Sequence, residues 1–329
     1  MRLYGGIDLG GAKIQALVAD HAGAVVGEAR RRTPQGGDPV SAVAALAEAL
    51  AAAADPAGVA LSALEGVGVG APGIVDDMAG TVARAGNLPG FEDSFPLGPS
   101  LRAVIGAPVV LTNDARAATL AEARLGAGRG ARSLLAVFWG SGIGGGLVLD
   151  GRVWTGAGSA GEIGHTIVSL AGRRCQCGAR GCVEALAGRV AMEARAREAL
   201  AAGRPTQLFE IMEARGSEQL VSPIWQKALE AGDELATEIV ADALLALGAA
   251  IASAVNLIQV ERIVVGGGLV SRLGPRALVT LRAELERSLF ARDAMPSLKV
   301  AALGDHAGAL GAALTAASAP AALAEEATG

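Results

Sequence analysis

The chain has 329 residues, a net charge of −5 and 51% hydrophobic residues. This length exceeds the size at which one hydrophobic core usually stops growing, so we expect two lobes with a cleft between them. The acidic balance and the shortness of the one basic run, Arg30 to Arg32, argue against a nucleic-acid-binding surface. The longest apolar stretch, Ala243 to Val255, is too short to span a bilayer. The first residues form a strand-like segment with no basic and apolar leader, so we expect a cytoplasmic protein with reduced thiols.

In chain order, apolar patterning predicts strands over 2–8, 13–19 and 24–32, an alanine-rich helix over 39–54 and a strand over 66–70. A second cycle of the same order begins at 132, with strands over 133–139 and 145–149, a helix over 233–256 and a strand over 262–265. The segment 203–226 lacks clean periodicity and is predicted to be rich in loops. A helix over 307–317 is expected to pack back on the first lobe, and 316–329 to fray.

All three cysteines lie in one glycine-rich loop with a histidine just upstream. Three thiolates and one imidazole complete the tetrahedral shell of Zn²⁺ and leave no position for water, which indicates a structural site. The predicted ligands are His165, Cys175, Cys177 and Cys182. A Cys-x-Cys spacing is too short for a relaxed disulfide. The zinc is expected to fix the loop between Glu162 and Glu184 and to hold these two carboxylates in place.

Three glycine-rich turns follow predicted strands, and backbone amides in such turns can bind phosphate oxygens. Their residues are Asp8, Gly10, Gly11, Ala12 and Lys13 in the first turn, Gly140, Ser141 and Gly142 in the second, and Gly266, Gly267 and Gly268 in the third. One glycine turn is usually only a tight turn, but three in a duplicated α/β chain favour a nucleotide-phosphate site. Asp8 could hold Mg²⁺ directly or through water. None of the turns has the Walker or dinucleotide pattern, which argues against those two cofactor sites.

Asn113 and Asp114 follow a short apolar strand over 108–111 and begin a helix. Either residue could be the N-cap of that helix. Phosphoryl transfer to an alcohol also needs a carboxylate that accepts the hydroxyl proton, and an aspartate at a strand end is of the right type. The residues alone leave both roles of Asp114 open.

Together these motifs resemble the ROK family of sugar kinases and repressors, within the hexokinase–actin superfamily. The resemblance runs from Gly6 to about Ala313 and rests on the order of the opening glycine turn, Asn113-Asp114, Gly161 to His165, and Cys175 to Glu184. It implies an α/β fold of two actin-like (ribonuclease H-like) lobes with an interlobe cleft. We expect an N-terminal lobe over 1–123, joined by the helix at 306–317, and a C-terminal lobe with the zinc loop over 124–305.

The resemblance also implies an ATP-dependent hexose kinase that uses Zn²⁺, Mg²⁺ and ATP and has Asp114 as its general base. The residues that it assigns to the sugar are Gly73, Asn87, Asn113, Asp114, Glu162, His165 and Glu184. We expect glucose to be phosphorylated at O6. Fructose, N-acetylmannosamine or an aminosugar remain alternative substrates, and a noncatalytic or regulatory sugar-binding protein remains an alternative function.

The expected partners are a small-molecule sugar and ATP, with no nucleic acid and no membrane, in a homodimer or homotetramer. Repressors of the family carry a helix-turn-helix module before the first strand, and because this sequence opens at that strand we expect no DNA binding. Two positions in the turns that are expected to bind the nucleotide depart from the family pattern. Ala12 stands where threonine is usual, which removes a hydroxyl whose hydrogen bond to a charged group is worth about 1.5–3 kcal/mol, so we expect weaker ATP binding or turnover. Ser141 replaces the commoner threonine but keeps a hydroxyl. A third departure, His306 after Asp305, lies where a second aspartate is common.

Overall fold

The computed structural model describes residues 2–86 and 88–319, which belong to two units. Unit 1 comprises 1–130, 153–160 and 302–329, and unit 2 comprises 131–152 and 161–301. The sequence placed the division at 123/124 and at 305/306, whereas the units divide at 130/131 and 301/302. A carboxylate connects residues beyond both predicted boundaries to unit 1. Glu122 is fully buried in unit 1 and accepts hydrogen bonds from the backbone N–H groups of Ala127, Ala302 and Leu303.

The main sheet of unit 1 has five strands: β1 (Leu3–Leu9), β2 (Lys13–Asp20), β3 (Val25–Arg32), β4 (Gly66–Ala71) and β7 (Val109–Asn113). Their order is β3-β2-β1-β4-β7, with β2 antiparallel to both neighbours and β1, β4 and β7 parallel. A small hairpin of β5 (Ile74–Asp76) and β6 (Thr81–Ala83) follows β4. Because parallel strands end at the same edge of a sheet, the ends of β1 and β7 bring Asp8 and Asn113 to one edge.

Four α-helices lie in unit 1: α1 (Pro39–Ala54), α2 (Leu97–Ile105), α3 (Asp114–Arg124) and, at the end of the described chain, α11 (Ala307–Ser318). Asp38 caps α1 by accepting from the N–H groups of Val40 and Ser41. Helix α11 packs on β1 and β4. A Cβ on Gly68 of β4 would lie 1.9 Å from the carbonyl oxygen of Ala312, so only glycine allows this approach. The predicted fraying of 316–329 falls largely on 320–329, outside the described residues.

The sheet of unit 2 repeats the strand order of unit 1. Its strands are β8 (Leu134–Trp139), β9 (Ile143–Leu149), β10 (Arg152–Trp154), β11 (Arg262–Gly266) and β12 (Ser297–Val300), in the order β10-β9-β8-β11-β12. The last two residues of β10 belong to the 153–160 segment of unit 1. Strand β9 is antiparallel to β8, and β11 runs parallel to both β8 and β12. The duplicated arrangement confirms the predicted α/β class with two units of ribonuclease H type.

The helices of unit 2 are α4 (Glu184–Ala187), α5 (Arg189–Ala201), α6 (Leu208–Ala214), α7 (Ser222–Glu230), α8 (Glu234–Ile258), α9 (Gly268–Leu273) and α10 (Pro275–Ser288). The prediction that 203–226 is rich in loops was wrong in part, because α6 and the start of α7 lie there. Both helices are too short to show a period in the sequence, and long-range contacts hold them. Asp233 caps α8 and also accepts a hydrogen bond from the Thr206 hydroxyl at 2.8 Å, while Trp225 of α7 is fully buried.

Two helical segments are long and apolar enough to be candidate membrane spans, Pro39–Ala57 and Glu234–Ile258. In the most apolar 18-residue window of each segment, 44% of the residues of the first and 56% of those of the second are buried inside the protein. The buried side chains of α1, such as Leu46 and Leu50, belong to the core of unit 1, and those of α8, such as Leu247 and Ile251, belong to the core of unit 2. The apolar faces of both helices therefore serve the cores of the two units, as in a soluble protein.

Candidate active site

Two neighbouring carboxylates lie at the edge of the sheet in unit 1. Asp8 is near the end of β1, and Asp114 is the first residue of α3, directly after β7. Burial and the negative charge of Asp114 raise the pKa of Asp8 to about 7, although the cation of Lys13 opposes this shift. Burial also raises the pKa of Asp114. Two carboxylates that are disfavoured as anions are suited to bind a divalent cation or to accept a proton.

The structure distinguishes the roles of Asn113 and Asp114. Asn113 is the N-cap of α3, because its side-chain oxygen accepts a hydrogen bond from the N–H of Arg116 at 3.1 Å. Asp114 follows the cap, and its Oδ1 accepts from the N–H of Ala115 at 2.7 Å. Since the cap belongs to Asn113 and uses only its amide oxygen, capping does not explain why an aspartate stands at position 114.

The first glycine turn joins β1 to β2, and the residues after β3 fix it. The hydroxyl of Thr33 donates to the carbonyl of Gly10 at 2.6 Å, and the amide nitrogen of Gln35 donates to the carbonyl of Gly11 at 2.9 Å. Ala12 completes the turn, and its carbonyl accepts from the N–H of Thr33.

The lysine that follows this turn has a partner that the sequence did not indicate. The ammonium of Lys13 donates to Asp305 at 2.8 Å, and this pair lowers the pKa of Asp305. The next residue, His306, lies 3.2 Å from Glu28. His306, which departs from the family pattern, therefore lies beside a carboxylate of β3. Just beyond it, a Cβ on Gly308 would lie 2.6 Å from the carboxyl group of Asp8, so the start of α11 lies directly against that group.

In unit 2 the second glycine turn contacts a residue that was predicted to bind sugar. The turn Gly140–Gly142 joins β8 to β9, and Glu184 is the first residue of α4. The carboxylate of Glu184 accepts a hydrogen bond from the N–H of Ile143 at 2.8 Å. A Cβ on Gly142 would lie 2.2 Å from the same carboxylate, so a larger residue there would displace the Glu184 side chain from the turn. Glu184 thus anchors the turn in addition to any contact with a substrate.

The remaining predicted positions lie at turns. Gly266, Gly267 and Gly268 connect β11 to α9, and Gly267 has a φ of +92°. In unit 1, Gly73 has a φ of +81° between β4 and β5. Glu162 precedes a single helical turn over Ile163–His165 and is exposed. Asn87 lies outside the described residues.

The predicted zinc ligands come together in unit 2. The donor atoms of His165, Cys175, Cys177 and Cys182 all lie within 4.8 Å of one another. The sulfurs of Cys177 and Cys182 are 3.7 Å apart, as are the Cys175 sulfur and Nδ1 of His165. A Zn–S bond of about 2.3 Å in a tetrahedron requires a sulfur–sulfur separation of roughly 3.8 Å. Donor set and spacing therefore fit Zn²⁺.

Comparison with known proteins identifies the family. A model described as the ROK family matches residues 4–319. The chain belongs to the ROK family.

Relatives over nearly the full length support this membership. A protein named glucokinase from Halalkalibacterium halodurans is 34% identical over 313 residues, which cover 94% of this chain and 93% of that protein. A ROK hexokinase from Thermus thermophilus is 38% identical, with a TM-score of 0.79 and coverage of 95% of this chain and 97% of that one. A ROK family glucokinase from Streptomyces griseus, solved in complex with glucose and AMPPNP, is 32% identical, with a TM-score of 0.79 and coverage of 94% and 98%.

Three side chains of this ROK protein contact predicted site residues or the backbone close to such a contact, but were not identified as site residues from the sequence. Asp305 binds Lys13, Arg189 donates to the hydroxyl of Ser141, and Glu122 accepts from the N–H groups of Ala302 and Leu303, shortly before Asp305. Only Asp305 carried a signal, because it precedes the unusual His306. The other two contacts join positions that are distant in the chain, so no local pattern reveals them.

Proposed function

We propose that this chain is an ATP-dependent hexose kinase that phosphorylates O6 of glucose, with Asp114 as the general base. The observation that carries the proposal is Asp114 itself. It is a half-buried carboxylate beside Asp8, its pKa is raised by burial, and it is not needed as a helix cap. General-base catalysis is most efficient when the pKa of the base lies near the working pH. The relatives named glucokinase support glucose as the acceptor.

In this proposal Asp114 accepts the proton of the sugar hydroxyl while the hydroxyl oxygen attacks the terminal phosphorus of ATP, and the bond from that phosphorus to the β–γ bridging oxygen breaks to release ADP. The amide of Asn113, whose oxygen caps α3, keeps its nitrogen for a sugar hydroxyl. Glu162, His165 and Glu184 accept or donate further hydrogen bonds to the sugar. Gly73 and Asn87 complete the sugar contacts that the family resemblance implies.

The nucleotide phosphates are assigned to the three glycine turns. Asp8 would hold Mg²⁺, because a cation relieves the repulsion that raises its pKa, and carboxylate oxygens are ligands that Mg²⁺ prefers. Bound Mg²⁺ neutralises phosphate charge during transfer. Lys13, now bound to Asp305, could exchange that carboxylate for a phosphate.

His165, Cys175, Cys177 and Cys182 would hold Zn²⁺, which supplies no chemistry in the transfer but crosslinks the loop that ends at Glu184. We further propose a cytoplasmic protein, in which the thiols stay reduced and available to the metal. Assembly as a homodimer or homotetramer remains a prediction.

The proposal is tested by a coupled assay of ADP release with glucose, fructose, mannose, N-acetylmannosamine and glucosamine, each against a blank without sugar. We expect the highest kcat/KM with glucose and no turnover with 6-deoxyglucose, which lacks the receiving hydroxyl. A higher kcat/KM with another hexose would replace glucose as the substrate. The kinase proposal would be refuted if no sugar caused ADP release from ATP and if no sugar phosphate formed when polyphosphate replaced ATP.

A further inference from the structure

Arg189 joins the start of α5 to the second glycine turn. Its Nη2 donates to the hydroxyl oxygen of Ser141 at 2.7 Å, and its Nη1 donates to the carbonyl of Leu220 at 3.2 Å. Its backbone N–H donates to the carbonyl of Gly140 at 3.2 Å, and the N–H of Val190 donates to the carbonyl of Ser141 at 3.1 Å. Three of these four hydrogen bonds end on the turn, so Arg189 and its neighbour fix the conformation of Gly140 and Ser141.

Arg189 differs from the other arginines of α5 in its ion pairing. Arg195 pairs with Glu238 and Asp242, and Arg197 pairs with Glu193. Arg189 forms no ion pair within the part of the chain that the structure describes, and burial lowers its pKa. The negative charge of Glu193 opposes this shift, but among the described residues no carboxylate binds the guanidinium directly, so its charge is available to an anionic ligand at the turn.

The hydrogen bond also sets the direction of the serine hydroxyl. A hydroxyl has one proton to donate and two lone pairs that accept. Because the oxygen of Ser141 already accepts from Arg189, its own proton points away from the guanidinium and is free for another acceptor. A phosphate oxygen bound by the backbone amides of the turn is such an acceptor.

We propose that Arg189 is a positioning residue of the phosphate-binding turn, which acts by orienting the hydroxyl of Ser141 toward an oxygen of the ATP triphosphate. This inference rests on the proposed kinase function and deepens it. It adds to the ATP-binding part of the site a residue that the sequence motifs do not include. Because Ala12 in the first turn has no hydroxyl, the hydrogen bond from the Ser141 hydroxyl to phosphate becomes more important for ATP binding.

The test compares Arg189→Gln and Arg189→Lys with Arg195→Gln, a matched control on the same helix. Loss of a hydrogen-bonded charge is worth about 1.5–3 kcal/mol, so Arg189→Gln should raise the KM for MgATP by about 10- to 100-fold. The KM for glucose should change less than about threefold on the same reasoning, and Arg189→Lys should recover part of the loss. Arg195→Gln should leave both KM values unchanged. A similar rise in both KM values, or no rise for MgATP, would overturn the inference.

A double-mutant cycle separates positioning from a merely structural role. If Arg189 acts through Ser141, then Arg189→Gln combined with Ser141→Ala should be no worse than the more impaired single variant. Additive losses would contradict the inference. Calorimetric titration with AMPPNP gives a readout that needs no turnover. Wild-type protein that binds AMPPNP but phosphorylates no hexose would refute the kinase proposal, while the loss of AMPPNP affinity in Arg189→Gln would still support the role of Arg189 at the turn.

Discussion

The candidate residues of unit 1 and of unit 2 are held in place by different means. In unit 1, Asp8 lies near the end of β1 and Asp114 begins α3 directly after β7, and β1 and β7 are parallel strands on either side of β4, so the sheet itself sets their positions. In unit 2, Glu184 and His165 lie at the two ends of an irregular loop, which the hydrogen bond to Ile143 fixes at one end and which Zn²⁺ bound by the Cys₃His cluster would crosslink. A regular scaffold tolerates local change, whereas a crosslinked loop depends on each crosslink.

The two regions also differ in what their carboxylates do to stability. In unit 1, burial and mutual repulsion raise the pKa of Asp8 to about 7, so its ionised form destabilises the folded protein until a cation arrives. In unit 2, the carboxylate of Glu184 satisfies a backbone N–H and supports the fold. We therefore expect substitutions in unit 1 to remove activity without unfolding, and substitutions in unit 2 to change binding and stability together.

The largest effect is expected at Asp114. Asp114→Asn should reduce kcat by about 10²-fold or more, because an amide cannot accept the hydroxyl proton. The cap of α3 is unaffected, since Asn113 provides it, so the melting temperature should stay close to that of wild type. Steady-state kinetics and a thermal melt measure both. Asp77→Asn, at an exposed position of the same unit, is the control, and near-normal turnover in Asp114→Asn would remove the catalytic assignment.

The zinc cluster should show the next largest effect. Cys177→Ser removes one of four ligands, so we expect zinc to fall from about one per chain to nearly none and the melting temperature to fall with it, because metal binding is coupled to local folding. Elemental analysis and thermal melts provide the readout. Gln176→Ala, an exposed neighbour that is not a ligand, should keep its zinc. Wild-type protein purified without chelators and found free of zinc would contradict the site.

The two glutamates at the ends of the loop should behave differently from each other. Glu162→Ala should raise the KM for the sugar alone, by about 5- to 100-fold, because a sugar hydroxyl would lose a charged hydrogen-bond acceptor. Glu184→Ala should raise the KM values for both sugar and MgATP, because Glu184 also holds the turn at Ile143. Glu184→Gln keeps an acceptor oxygen and should spare the KM for MgATP. Identical kinetics for Glu162→Ala and Glu184→Ala would show that the contact with the turn is unimportant.

The smallest effect is a change in stability with pH at Asp8. Its pKa in the folded protein is raised from 3.8 to about 7, so the stability that protonation contributes is complete below about pH 4 and is lost as the pH rises through 7. In the presence of EDTA, Asp8→Asn should gain stability relative to wild type as the pH rises from about 4.5 to about 8, because only the wild-type protein must ionise this buried carboxyl. Denaturant titrations at the two pH values measure this. A difference that does not vary with pH would contradict the raised pKa.

Much of this arrangement could be predicted because its signals are local. Glycines at strand ends mark the turns, short apolar runs mark β1 and β2, and the spacing of Cys175, Cys177 and Cys182 indicates a metal loop. The repeated order of strands and helices was sufficient to predict two units of one fold class. These features depend on neighbours in the chain, which the sequence displays directly.

The features that the sequence did not reveal depend on contacts between distant positions. The division between the units follows the buried carboxylate of Glu122, which binds backbone that is 180 and 181 residues away. The hydroxyl of Ser141 is bound by Arg189, 48 residues later in the chain. The choice between Asn113 and Asp114 as the cap of α3 depends on side-chain torsions that residue type does not determine.

The central claim is that the carboxylates of unit 1 serve the chemistry while the crosslinked loop of unit 2 serves sugar binding. Calorimetric titration of glucose into Asp114→Asn and Cys177→Ser, side by side with wild type, tests it most directly. The account predicts that Asp114→Asn binds glucose within about threefold of wild type although it does not turn over, and that Cys177→Ser binds glucose at least about tenfold more weakly. Wild-type glucose affinity in Cys177→Ser, together with its loss in Asp114→Asn, would contradict the account.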